Sequence, residues 1–189
     1  ALSELDAHGK IIAADASETA PALHFADETC TVPRCDDAHF IPALVEVCAM
    51  YHVDAIVPTI DTELPVLAAH RDALQSTGSA LWLSSCDTIE ISGDKRQTNR
   101  WLFNNGFPVV SQFTPIEALG QVSALPFPLI AKPPRGSASV GVKRIHNQTE
   151  LEACLNHDLV IETVAPGIEY TVHVWAGAKG RALCAVPCR

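Results

Sequence analysis

Basic residues are scarce in this chain. Against 22 aspartates and glutamates it carries 13 lysines and arginines, giving a formal net charge of −9 over 189 residues. No basic stripe exists that could replace the counterions of a nucleic-acid backbone, so no nucleic-acid partner is expected and a small molecule is. Charged residues together reach 19%, below the usual quarter, which argues against long disordered tails. Long apolar runs are missing too. No stretch approaches the length of a membrane span, and no basic segment leading into an apolar one opens the chain, so the expectation is a cytoplasmic protein with no membrane partner.

Several motifs are equally missing. No G-x-G-x-x-G follows any apolar strand-like run, which leaves a dinucleotide oxidoreductase poorly supported. Gly136 and Gly141 have Walker A separation, but Val142, Lys143 and Arg144 follow where the pattern requires Lys and then Ser or Thr. The seven cysteines are at positions 30, 35, 48, 86, 154, 184 and 188. The spacings Cys30-x4-Cys35 and Cys184-x3-Cys188 match no common zinc module, and an odd count does not read as a disulfide framework. Cys48 and Cys154 sit at apolar positions of helix-like stretches and read as reduced core thiols; no metal ligands are assigned within the chain.

What is present is ample apolar content, 48%, enough for one large or two small domains. Leu2 and Leu5 before His8-Gly9 resemble the back half of a helix closed by glycine. Lys10–Ala14 is a short strand-like run, and Thr29–Val32 a second. Phe40, Leu44, Val45 and Cys48 share a helical face, with Asp36 or Asp37 as its cap. Val53–Val57 and Ser79–Ser84 read as further strands with a helix through Leu67 and Leu74 between them. This alternation predicts a small α/β layer with a mostly parallel sheet.

Asp61 and Glu63 stand where a parallel strand ends and a helix begins. Two readings fit them: contacts to an amine or cationic substrate group, or a helix cap with Glu63 in its first turn. From Ser92 the character changes, and the Gly93-Asp94 turn is the expected domain boundary. A helix through Trp101 and Phe103 follows, then short elements at Val109–Phe113 and Ile116–Leu119. Later come a helix over Thr149–Asn156 with a Thr149-x-x-Glu152 capping box, an apolar strand Leu159–Ile161 delivering Glu162, and a half-buried alternating strand from Glu169 to Trp175. Arg181–Pro187 is one more strand.

The stretch Leu129–Val142, L-I-A-K-P-P-R-G-S-A-S-V-G-V, carries the most chemistry. An apolar strand delivers Lys132, two prolines stop it, and Arg135-Gly136-Ser137-Ala138-Ser139 forms a small polar loop. Its backbone N–H groups and hydroxyls suit phosphate oxygens, with the lysine as a fixed cation. An ordinary hairpin with a Gly/Ser turn is the competing reading.

Three pieces in order, Asp94-Lys95, then Pro128-x3-Lys132-Pro133 with its Gly/Ser loop, then Ile161-Glu162-x4-Gly167-x-Glu169-Tyr170-Thr171-Val172, resemble the ATP-grasp superfamily. The run D-A-I-V-P-T-I-D-T-E-L-P-V-L-A is similar to its carbamoyl phosphate synthase large-subunit-like branch. The resemblance spans essentially the whole chain. It implies a Rossmann-like pre-ATP-grasp domain at 1–92, a first ATP-grasp subdomain at 93–157 and the start of a second at 158–189, an α+β domain left incomplete. It implies that Lys95 and Lys132 bind ATP phosphates and that the loop with Gly136, Ser137 and Ser139 closes over them. Glu162 would lie at the hinge where the backbone of Thr163 and Val164 meets the adenine edge, and Glu169 would hold the ribose. Lys95 as a solvated helix residue, and Glu162 as an ion-pair partner of Lys132, are the plainer alternatives.

By the same resemblance the activity is an ATP-dependent ligase joining a carboxylate to an amine through an acyl phosphate. The partners are ATP, magnesium and a small carboxylate or amine, and the assembly is a homodimer. The family's magnesium carboxylates lie beyond the ribose glutamate, so ligands for Mg2+ are expected downstream of Arg189. The chain thus reads as part of a longer protein, inactive as a fragment. A non-catalytic nucleotide-binding module is the alternative, and a binder of another small molecule through Asp15, Asp61 and Glu63 is a third.

Overall fold

A computed structural model describes residues 9–136, 138–177 and 180–189. The helix expected ahead of Gly9 lies outside the described residues. The chain divides into two compact units, one made of the residues up to Phe107 with Pro133–Gly141, the other of Pro108–Lys132 and Val142–Arg189.

The first unit alternates strand and helix. β1 (Ile12–Asp15) pairs in parallel with β2 (Glu28–Thr31); α1 (Phe40–Tyr51) leads to β3 (Ala55–Ile56). Helices α2 (Leu64–Ala69) and α3 (Arg71–Gln75) then carry the chain to β4 (Ala80–Leu81), parallel to β3. The expected parallel pairing is there, but as two separate two-stranded sheets rather than one. Short strands explain this: two paired residues in β3 and β4 leave little edge for a neighbour. Val32, Phe40, Leu67, Leu74 and Leu81 form the buried core, with Ile41, Leu44, Val45 and Ile56 packed on it. Two further helices, α4 (Cys86–Gly93) and α5 (Lys95–Asn104), end the unit, each with a side-chain cap: Ser85 accepts from the Thr88 N–H and Asp94 from the Arg96 N–H.

The second unit is built on a four-stranded antiparallel sheet. Its strands are β5 (Gln112–Phe113), β6 (Leu129–Lys132), β7 (Lys143–Ile145) and β8 (Val160–Thr163), in the order β5-β8-β6-β7. The register sets the faces. Phe113, Ile161, Ala131 and Lys143 stand opposite one another in a row, as do Gln112, Glu162, Ile130 and Arg144 in the next. Directly opposed residues share a face, and successive ones alternate. One face therefore carries Leu129, Ala131, Ile145 and Ile161. It packs with Ala118 of α6 (Pro115–Gly120), Leu151 of α7 (Gln148–Glu152) and Cys154 into the unit's core. The other face carries Gln112, Ile130, Lys132, Val160 and Glu162.

Three local expectations are corrected. The Thr149-x-x-Glu152 capping box does not form: Asn147 caps α7, accepting the Glu150 N–H at 3.0 Å, while Glu150 Oε2 accepts from the His146 N–H. Asparagine is the stronger cap, so the cap lies two residues earlier, and the helix ends at Glu152 rather than at Asn156. A true capping box holds α6, where Thr114 and Glu117 bond reciprocally. At α1 the Asp37 carboxylate accepts the His39 N–H at 2.8 Å in a turn ahead of the helix instead of capping it. Finally, β9 (Thr171–Ala176) is exposed at all six residues rather than half-buried, as is β10 (Ala182–Cys188) at all seven. These two form an antiparallel hairpin, and among the described residues no other strand pairs with either. Cys48 and Cys154 are buried free thiols, as expected, and burial pushes the Cys154 thiol above its usual value, against the charge of Lys143.

Candidate nucleotide-binding site

The alternation L-I-A-K decides where Lys132 points. Leu129 and Ala131 are fully buried in the core of the second unit, which turns Ile130 and Lys132 to the opposite face of the sheet. Glu162 stands opposite Ile130 and so lies diagonal to Lys132 on that same face, a separation long side chains bridge. Lys132 Nζ meets Glu162 Oε2 at 2.5 Å, with the two side chains 23% and 11% exposed. The second oxygen, Oε1, accepts from Gln112 Nε2 at 2.9 Å. Both carboxylate oxygens are thus engaged, and the ammonium is held on a rigid strand with further N–H donors for a second anionic acceptor.

Beyond Glu162, the Thr163 N–H donates to the Ser111 carbonyl at 3.1 Å, and Val164, outside the strand, is exposed. Glu169 is exposed in the segment between β8 and β9.

In the first unit a separate set of contacts surrounds the glycine loop. Lys95, at the head of α5, donates its backbone N–H to the Pro134 carbonyl at 2.9 Å and Nζ to the Gly136 carbonyl at 2.8 Å. Gly136 has φ +108°, and Ala138 and Ser139 follow with φ of 53° and 58°. These left-handed values fold the loop tightly, and at Gly136 they favour glycine. At Gly141, φ +75°, a Cβ would lie 2.8 Å from the Pro133 ring. Ser137 lies outside the described residues.

The two carboxylates at the β3–α2 junction behave locally. Glu63 Oε1 accepts the Thr59 and Ile60 N–H groups at 2.9 and 3.2 Å, closing the turn before α2, while Asp61 is exposed. Neither caps α2, whose N-cap position carries no side-chain bond. Asp15 Oδ1 accepts from the Ser17 N–H at 2.8 Å.

Two pairings escaped the sequence reading. Gln112 is in register with Glu162, a pairing across fifty residues that no local pattern announces. Asp94 is buried and joined to Arg96 and Arg135; an aspartate directly before a helix was the available signal. No group of three His, Cys, Asp or Glu side chains gathers to hold a metal ion among the described residues. No helix among them is long and apolar enough to cross a membrane.

Comparison with known proteins bears on this arrangement. Residues 1–81 match the family model described as PylC-like, N-terminal domain. A D-alanine–D-alanine ligase A from Bacillus cereus is 29% identical over 146 residues, covering 67% of this chain and 48% of the relative. Among solved structures, N5-carboxyaminoimidazole ribonucleotide synthetase from Thermus thermophilus aligns with all of this chain and 50% of its own, at a TM-score of 0.73 and 14% identity. This chain has the ATP-grasp fold. The biotin carboxylase of Campylobacter jejuni, solved as a β,γ-ATP complex, covers 90% of the chain and 43% of its own at a TM-score of 0.66 and 16% identity. The chain spans about half the length of these relatives, and the incomplete α+β ATP-grasp architecture expected from the sequence is what the alignments support.

Proposed function

We propose that this ATP-grasp chain supplies the ATP-binding part of an ATP-dependent ligase that joins a carboxylate to an amine or similar nucleophile through an acyl phosphate. The observation that carries the reading is the Lys132–Glu162 pair: a strand lysine held on the polar face of the antiparallel sheet, in a fold shared with a biotin carboxylase solved as a β,γ-ATP complex. A buried ion pair is weak evidence for stability alone. Its presence on the face turned away from the core fits a cation kept in place for an anionic ligand.

Lys132 and Lys95 are assigned to the phosphates, as compact, fully charged donors. The loop with Gly136, Ser137 and Ser139 is assigned to phosphate oxygens through backbone N–H groups and hydroxyls. Glu162 positions Lys132 and marks the turn into Thr163 and Val164, whose backbone is assigned to the adenine edge; Glu169 is assigned to the ribose hydroxyls. Asp61 and Glu63 are assigned to the second substrate, with Glu63 first giving up its turn amides. Phosphoryl transfer is mostly positioning and charge neutralisation, which these residues supply without covalent chemistry of their own. Magnesium, when bound, would neutralise charge on the ATP phosphates; no step is assigned to it here.

Within the class, residues 54–68 favour the carbamoyl phosphate synthase-like branch, and we expect a cytoplasmic enzyme, homodimeric when whole. The test is ADP release by the complete gene product against a panel of amino acids and bicarbonate. ADP formed only with a particular acceptor supports the ligase; no ADP with any acceptor overturns it, and bicarbonate dependence specifically supports the branch.

A further inference from the structure

The base of the glycine loop is held by a charged cluster to which the reading above assigns no part. Asp94 is 4% exposed. Its Oδ1 accepts the Arg96 N–H at 2.9 Å and Arg96 Nε at 3.3 Å; its Oδ2 accepts from Arg96 Nη2 at 3.1 Å and faces Arg135 Nε at 3.7 Å. The next residue, Lys95, bonds the carbonyls on either side of Arg135: its backbone N–H that of Pro134, its ammonium that of Gly136. Three consecutive loop residues are thereby tied to two consecutive residues at the head of α5. A first-turn N–H has no partner inside its own helix, so the Pro134 carbonyl completes α5 while α5 anchors the loop.

We propose that Asp94 is a positioning residue for ATP: through Arg135 and the α5 cap it fixes Lys95 and Gly136 as one piece, with the Lys95 ammonium resting on the Gly136 carbonyl until a phosphate takes it over. This rests on the nucleotide reading above. A phosphate oxygen is charged and the carbonyl is not, so the exchange favours phosphate, charge-assisted bonds being roughly twice as strong. Holding loop and lysine together beforehand removes ordering cost from the binding step. The carboxylate stays ionised for this work: burial alone would raise it, and the hydrogen bonds of Arg96 with the charges of Arg96 and Arg135 outweigh that and hold it below its usual value.

The test uses two variants. Asp94→Asn keeps an oxygen for the Arg96 N–H, since asparagine caps as well as aspartate, and removes the charge. Arg135→Met removes a guanidinium from a side chain that is 56% exposed, so folding survives even where Asp94→Asn does not. Arg100→Ala, exposed on the same helix, is the control. Two quantities are read on each protein: hydrogen exchange at the Lys95 amide without nucleotide, and the dissociation constant of ATP by calorimetry. The expected result is exchange and dissociation constant both raised about tenfold or more in the two variants and unchanged in the control. Unchanged exchange at Lys95 overturns the proposal whatever ATP does. Faster exchange with undiminished ATP affinity reduces Asp94 to a structural part and overturns its positioning role, leaving the ATP reading intact. An unaltered protein that binds no ATP overturns the ATP reading, and this proposal with it.

Discussion

Replacing Lys132 with methionine should destabilise the second unit far more than replacing Glu162 with glutamine. Lys132→Met keeps the stem that lies along the sheet and deletes the charge. It leaves the Glu162 carboxylate, 11% exposed, with the Gln112 amide still donating to Oε1 and no cation opposite Oε2. Breaking a fully buried pair from one side costs about 3–5 kcal/mol; with Lys132 itself 23% exposed, solvent screening reduces this to about 2–3 kcal/mol. Glu162→Gln leaves a lysine that can extend its ammonium toward water, and should cost roughly 1 kcal/mol. The double variant leaves no unpaired charge and should lie within about 1 kcal/mol of the unaltered protein, a coupling of roughly 2 kcal/mol. The assay is urea unfolding of all four proteins, followed by tryptophan fluorescence of the second unit's Trp175 and by circular dichroism, with midpoints compared at constant slope. Strict additivity, or a Lys132→Met cost under about 0.5 kcal/mol, would refute the claim that this pair is desolvated and mutually dependent.

Other consequences are direct. Leu129 is fully buried at the centre of its core, so Leu129→Ala should cost about 3 kcal/mol, read as a lower urea midpoint. Thr114→Ala removes one half of the capping box on α6 and should cost about 1 kcal/mol by the same measurement. The Asp94 carboxyl has a folded pKa below its unfolded one. Its contribution is therefore complete above the ordinary carboxylate value of about 3.9 and is lost as pH falls through the lower folded value. The stability gap between the unaltered protein and Asp94→Asn should be flat from pH 5 to 7 and shrink below pH 4; a gap that widens in acid would contradict the assignment. Gly141→Ala meets both a left-handed backbone and the Pro133 ring 2.8 Å away, and should cost about 1–2 kcal/mol.

Much of this was written locally in the sequence. The L-I-A-K run fixed a strand that buries Leu129 and Ala131 and turns Lys132 away, because alternation along four residues suffices to separate two faces. The glycine at 136 marked the loop it occupies, since few other residues tolerate that φ value. What stayed hidden depends on partners distant in sequence. Gln112 meets Glu162 through strand order, and Arg135 meets Asp94 through the packing of α5, neither of which a periodic pattern encodes. The exposed hairpin β9–β10 shows the same limit from the other side: alternation in Val172, Val174 and their neighbours predicts a face suited to burial, but burial itself requires a covering element. At α7 two caps competed within two residues, and the reciprocal bonds of Glu150 decided for Asn147.

The central claim is that the polar face of the antiparallel sheet binds ATP through Lys132. Lys143 provides the internal comparison: it stands opposite Ala131, on the other face of the same sheet. Calorimetric titration of ATP into the unaltered chain, Lys132→Ala and Lys143→Ala tests this directly. The account predicts binding that weakens about tenfold or more in Lys132→Ala and by less than about twofold in Lys143→Ala. Equal losses in the two variants, or no heat of binding in the unaltered chain, would contradict it.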